Sequence, residues 1–196
     1  MPALQALRRF IESGEPLSNA GLENAVLRSG DPELTEVLQW SMAVNEMIAR
    51  TVRAVDPFPG VHASLARLKG RAEIFCVSQT PVEALAREWR EAGLRDSVSG
   101  IFGKEYGSKV EQLRKLLRVG SASARLLMIG DAPGDHAAVA AVGGSFYPIL
   151  PGREAESWQR FQEEAIALFF KGRFEGAYAA RLVREFDAIL PEHPPW

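Results

Sequence analysis

The sequence predicts an α/β protein built on a parallel sheet, with a helical segment before it and a helical pair after it. Three observations carry this. Short apolar runs alternate with helix-spaced stripes between residues 57 and 150, each run is bounded by Gly, Pro or a capping residue, and the flanking segments show helical periodicity alone.

From Leu4 to about Arg53 the pattern is helical, broken at Gly14 to Gly21 and at Gly30-Asp31-Pro32. Val37, Leu38, Val44, Met47 and Ile48 mark one apolar stripe, and no strand is expected here. Asp56-Pro57-Phe58-Pro59-Gly60 is a stiff turn, because each proline fixes its own backbone and turns its predecessor away from helix. It divides the chain into 1–55, helical; 56–152, α/β; and 153–196, helical again.

Val61, Leu65 and Leu68 are spaced for a helix that stops at Gly70, and Ala72 to Val77 is an apolar run too short for another. That run is read as a buried strand. Thr80-Pro81-Val82-Glu83 reads as a capping box with Pro at the first helical position, so a helix should open directly after Ser78-Gln79, with Val82, Leu85, Ala86 and Trp89 on its face. A strand-like stretch, Val98 to Phe102, precedes a second capping box, Ser108-Lys109-Val110-Glu111. Arg125 to Ile129 is the next strand, closed by Gly130-Asp131-Ala132-Pro133-Gly134-Asp135. An Ala-rich helix, Gly143-Gly144 and the apolar run Phe146 to Leu150 complete the alternation, which argues helices on both sheet faces. The last segment carries two stripes, one through Trp158 and Phe161, the other through Phe174, Tyr178, Leu182 and Phe186. Both suit core packing.

Composition excludes several classes. Among 196 residues, 46% apolar, 23 Lys and Arg stand against 25 Asp and Glu, so no broad charge footprint points to nucleic acid or an acidic membrane surface. Nowhere do about 18 apolar residues run together, and the first residues lack a signal-peptide pattern. The single cysteine, Cys76, lies in an apolar run and suits a buried thiol in a reducing compartment. A cytoplasmic protein is expected.

Ligands of an open parallel sheet bind outside the carboxyl ends of its strands. Ser78 follows one strand directly, with the N-terminus of a helix beside it, and together they could hold an anion or simply shape a turn. Lys109 opens a helix, where a cation opposes the dipole unless an anion is near, but Lys104 is only five residues earlier and position alone does not choose between them. Asp131 and Asp135 share one strand-end loop, as hard oxygen ligands for Mg²⁺ would, and Asp135 could equally cap the next helix.

In their order, these features resemble a family. Phe75-Cys76-Val77-Ser78 resembles the second motif of haloacid dehalogenase-like hydrolases, Gly107-Ser108-Lys109 the third, and Gly130-Asp131-Ala132-Pro133-Gly134-Asp135 the fourth, Gly-Asp-x-x-x-Asp. The resemblance covers roughly Pro57 to Leu150 and selects Lys109 over Lys104. It implies a Rossmann-like core, a Mg²⁺-dependent phosphatase of a small phosphorylated metabolite, and roles for four residues. Ser78 would hydrogen-bond a phosphoryl oxygen, Lys109 would neutralise charge, and Asp131 with Asp135 would hold Mg²⁺ directly or through water. The dehalogenase branch suits the acidic pair less well.

Family members begin with Asp-x-Asp at the end of a central first strand, and no Asp-x-Asp occurs in these 196 residues. Asp56 precedes a proline in a turn, and Asp187 belongs to a periodic helix. By resemblance, residues 1–55 look like the end of the helical cap that follows that motif. A truncated reading of the gene is the favoured explanation; a non-catalytic phosphate- or metal-binding relative and a complementing chain stand beside it. The chain as given is therefore expected to show no turnover, to hold Mg²⁺ weakly with a dissociation constant in the millimolar range, and to bring the four residues to one cleft. Its sheet should be interrupted or locally repaired, with self-association through exposed strand edges. A helical interaction module, with Trp40, Trp89 and Trp158 docking a partner, is the contrasting reading; periodicity predicts those aromatics to be buried. A dinucleotide-binding fold is disfavoured, since no Gly-x-Gly-x-x-Gly follows a strand.

Overall fold

The computed structural model describes residues 4–51, 55–119 and 125–189, and the chain divides into two compact units, Met1–Arg53 and Ala54–Trp196. The first holds α1 (Gln5–Glu12), α2 (Asn19–Ser29) and α3 (Pro32–Thr51). The Ser18 hydroxyl caps α2 by accepting from the Gly21 N–H at 3.1 Å, and Gly30, at φ 61°, ends it in the left-handed conformation that glycine adopts without strain. Phe10, Leu22, Ala25 and Leu34 form this unit's core, with Val37 and Leu38 against it.

The expected stripe on α3 is only partly buried. Met47 and Ile48 are exposed, and Trp40, expected inside, is 69% exposed. The reason is geometric. At about 100° per residue Trp40 lies well off the line through Leu34 and Leu38, and Met47, seven residues on, falls beside it.

In the second unit, α4 (Val61–Leu68) leads to β1 (Phe75–Val77), α5 (Val82–Glu91), β2 (Gly100–Phe102), α6 (Lys109–Val119), β3 (Leu127–Gly130), α7 (Pro133–Ala140) and β4 (Ser145–Pro148). Then come α8 (Glu154–Arg160), a π-helical turn through Phe161–Ala165, α9 (Ile166–Phe170) and α10 (Ala177–Ile189). The protein is thus mixed α/β, and the described part of the first unit contains no strand.

The four strands do not form one sheet. β1 pairs in parallel with β2, Phe75 opposite Gly100 and Val77 opposite Phe102; β3 pairs in parallel with β4, Leu127 opposite Ser145 and Gly130 opposite Pro148. Among the described residues no ladder joins the two pairs. The strands are also shorter than the apolar runs that announced them, because Ile74 and Leu126 contribute only a carbonyl to the first bond of each ladder.

Two apolar clusters cover β3 and β4. On one face Met128 and Phe146 pack with Leu113 of α6, Val139 of α7 and Phe186 of α10; on the other Tyr147 packs with Phe161, Ala165 and Leu182. Tyr147 satisfies its hydroxyl by donating to the Ser157 carbonyl at 2.6 Å. A third cluster joins Val61 and Leu65 of α4 to Ile74, Leu94 and Trp89.

One cap differs from its sequence reading. Thr80 is not the N-cap of α5; Pro81 is. The Ser78 hydroxyl accepts the Thr80 N–H at 3.1 Å, and the Thr80 carbonyl accepts from the Lys104 N–H, which holds Thr80 in the turn. Glu105, distant in sequence, accepts the Val82 N–H instead. The second capping box forms as read: Ser108 N–H donates to Glu111 at 2.7 Å, and Glu111 N–H donates to the Ser108 hydroxyl at 3.3 Å. The Ser108 N–H holds the Glu111 carboxyl below the usual range.

Candidate functional site

The carboxyl ends of β1 and β3 meet the first turn of α6. Gln112, fully buried, uses its side-chain nitrogen to donate to three carbonyls: Gly107 at 2.8 Å, Gly103 at 2.9 Å and Ser78 at 3.2 Å. This one amide ties together the residue after β1, the residue after β2 and the start of α6. One turn earlier on the same helix, the Lys109 ammonium donates to Oδ1 of Asp135 at the start of α7.

Asp135 is 3% exposed. Its second oxygen accepts the Ala132 N–H at 3.3 Å, so the carboxylate caps α7 from the third position while neutralising Lys109. Gly130 makes room for it: a Cβ there would lie 2.7 Å from the Asp135 Cβ. Gly103 is needed for a related reason, since its Cβ would come within 2.5 Å of the Thr80 carbonyl oxygen. Gly103 thus serves close approach of the end of β2 to the segment after β1, and Gly130 that of the end of β3 to the first turn of α7.

The four expected residues are placed unequally. Lys109 and Asp135 are in direct contact, and the Ser78 carbonyl is joined to the Lys109 helix, α6, through Gln112. Asp131 shares the β3–α7 loop with Asp135 but is exposed and makes no ion pair with a described residue. Lys104, the competing lysine, is exposed and engages the Thr80 carbonyl only through its backbone. Gln112 escaped the sequence reading. Its signal was faint: a glutamine three residues after Lys109, hence on the same side of the helix, beside Leu113 and Leu116.

Chemically, the strand-end segments offer a hydroxyl at Ser78, an ammonium paired to Asp135 at Lys109 and an exposed carboxylate at Asp131. The Ser78 oxygen accepts from Thr80 and keeps its own proton to donate; Lys109 spends one proton on Asp135 and retains two. Among the described residues no group of three or more His, Cys, Asp or Glu could hold a metal ion. No helix among them is long and apolar enough to cross a membrane.

No protein-family model matches the chain, and no curated protein matches it.

Proposed function

We propose that the second unit is the core of a haloacid dehalogenase-like hydrolase and that Ser78, Lys109, Asp131 and Asp135 form the phosphate and Mg²⁺ part of a phosphatase site. One observation carries the reading. A single helix, α6, binds the residue after β1 through Gln112 and the first turn of α7 through Lys109, which supports grouping the three segments at the strand ends. The two parallel pairs then belong to one Rossmann-like sheet whose central strand would lie between β1 and β3.

On this reading the Ser78 hydroxyl donates to a phosphoryl oxygen, and Lys109 neutralises the charge that phosphate brings. The donor set fits Mg²⁺ as a hydrated ion. Asp131 offers a carboxylate without a donor among the described residues, while both oxygens of Asp135 already accept from Lys109 and Ala132, so Asp135 would act through water. Bound there, the ion would supply Lewis-acid stabilisation of phosphate charge. The nucleophile is absent from these 196 residues, which contain no Asp-x-Asp. That same absence favours a second reading, a non-catalytic phosphate- or metal-binding module with identical contacts. The exposed Trp40 and Met47 of the first unit favour a docking role for that unit instead.

Thermal unfolding of the 196-residue protein with inorganic phosphate and Mg²⁺ tests the reading. At ligand concentrations about tenfold above a millimolar dissociation constant, the midpoint should rise by roughly 3–5 °C. Ser78→Ala and Lys109→Met should abolish the rise, and a wild-type protein that shows none would sink the proposal. A generic phosphomonoester should not be turned over; metal-dependent hydrolysis by this chain alone would show that it carries a nucleophile other than Asp-x-Asp.

A further inference from the structure

We infer that the second unit carries, at the amino ends of β1 and β3, a binding patch for an anion of several linked phosphates, built from Arg71 and Arg125 on the rings of Phe170 and Phe169 and from Lys171 and Arg173 in the turn beyond them. This end of the strands is the one away from Ser78, Lys109 and Asp131, and the patch owes nothing to the hydrolase reading.

Three segments far apart in sequence build it. Leu68, on the last turn of α4, packs in one apolar cluster with Phe169 and Phe170 of α9. The chain turns at Gly70, and Arg71 stands on the way into β1 with its guanidinium carbon 4.1 Å from the centre of the Phe170 ring. Arg125 stands just before β3, its guanidinium carbon 5.4 Å from the centre of the Phe169 ring. It also donates to the Phe170 carbonyl at 3.0 Å, and Gly172 admits it: a Cβ on Gly172, at φ 68°, would lie 2.8 Å from an Arg125 guanidinium nitrogen. The two rings are 5.8 Å apart centre to centre, so both guanidinium groups stand on one aromatic step. Lys171 and Arg173 flank Gly172, Lys69 lies two residues before Arg71, and all of these cations are exposed.

Their charge is locally unbalanced. The whole chain sets 23 Lys and Arg against 25 Asp and Glu, yet none of Lys69, Arg71, Arg125, Lys171 and Arg173 pairs with a carboxylate among the described residues. Glu73 and Glu175, their nearest acids in sequence, are exposed and enter no ion pair there either. The helix dipole accounts for Lys69 and Lys171, which cap the carboxyl ends of α4 and α9. It does not account for Arg71, Arg125 or Arg173, because its field fades beyond the last turn.

An arginine laid on an aromatic face has its side chain already ordered and keeps its N–H fork for an oxyanion. Two forks on separate rings, with two more cations on the adjoining turn, suit several linked phosphates better than one, since each phosphate brings its own acceptors for charge-assisted hydrogen bonds. The rings are taken up by the guanidinium groups and by the apolar cluster, so recognition is of the phosphate chain alone.

Inorganic tripolyphosphate, titrated calorimetrically into the full 196-residue protein at low salt, is the probe. One ion per chain should bind with a dissociation constant of about 1 mM or tighter, the sum of a few exposed charge pairs. Amide resonances of residues 69–73, 125 and 169–173 should shift, and affinity should fall about tenfold as salt is raised, as screening of exposed charges requires. Lys171→Gln with Arg173→Gln breaks no described side-chain hydrogen bond or ion pair, and should weaken binding about fivefold; Arg71→Gln with Arg125→Gln should weaken it about tenfold or more. Absence of binding, undiminished affinity in the Lys171 and Arg173 double variant, or shifts confined to residues 78–80 and 107–111 would each overturn the inference. So would capture by anionic lipid vesicles that tripolyphosphate does not displace. Tripolyphosphate bound here, beside orthophosphate and Mg²⁺ without effect on the thermal midpoint, would leave this patch standing and remove the hydrolase reading.

Discussion

Lys109, on the first turn of α6, donates a hydrogen bond to Oδ1 of Asp135, on the first turn of α7, so the ammonium and the carboxylate that the sequence separates by 26 positions form one pair. The Lys109 side chain keeps 25% of its exposure and that of Asp135 only 5%.

Removing the lysine alone should therefore strand a buried carboxylate. Lys109→Met is expected to cost about 2–3 kcal/mol, below the ~3–5 kcal/mol of a fully enclosed pair because water reaches the ammonium. Lys109→Met with Asp135→Asn should recover part of that loss. Urea denaturation of the wild type, both single variants and the double closes the cycle; a coupling energy below about 0.5 kcal/mol would show the pair to be decorative.

Gln112→Leu keeps the bulk of the side chain and deletes the donor shared by Ser78, Gly103 and Gly107. The amide's two protons are shared among three carbonyls, of which Gly107 keeps the Gln79 amide at 3.1 Å, so the expected loss is about 1–3 kcal/mol in chemical denaturation. A change within about 0.5 kcal/mol would mean that water replaces the amide freely.

Two glycines of the β3–α7 loop should respond oppositely to alanine. Gly130→Ala drives a methyl group against Asp135 and should cost about 1–3 kcal/mol while weakening phosphate binding. Gly134→Ala meets nothing within 4 Å and sits in the first turn of α7, so it should be neutral or stabilise by about 0.5–1 kcal/mol. Thermal melts of the two variants side by side decide it, and equal effects would contradict the packing described for Gly130.

Burial, with a smaller push from Glu88, raises the Cys76 thiol from its ordinary value of 9.0 to about 11. The folded state thus holds its proton longer than the unfolded state does. The resulting stability is fully present below pH 9 and is lost as pH rises from 9 to 11, a contribution on the order of 2–3 kcal/mol. Burial raises Tyr147 as well, which adds to the fall at higher pH. Denaturant midpoints measured from pH 8 to 11 should decline, and Cys76→Ala should flatten the first part of the decline. A thiol reagent at pH 8 should label Cys76 only as fast as the protein unfolds.

Local chemistry was legible in the sequence wherever it acts within a few residues. The breaks at Gly30 and Gly70, the capping box of Ser108 and Glu111, and the alternation of short apolar runs with helices follow from backbone freedom, capping and periodicity, which adjacent residues settle among themselves. Tertiary structure decided the rest. Thr80 has the residues of a cap, yet the Ser78 hydroxyl and the distant Glu105 outcompete it, a contest invisible within a four-residue window. Trp40 is exposed because helical phase, rather than hydrophobicity, fixes which side of α3 meets α1 and α2. The partner of Lys109, the three carbonyls of Gln112 and the division of four parallel strands into two pairs all depend on where crossover helices return the chain. That is a property of packed clusters such as Leu113, Met128 and Phe186, whose members the sequence scatters and only burial brings together.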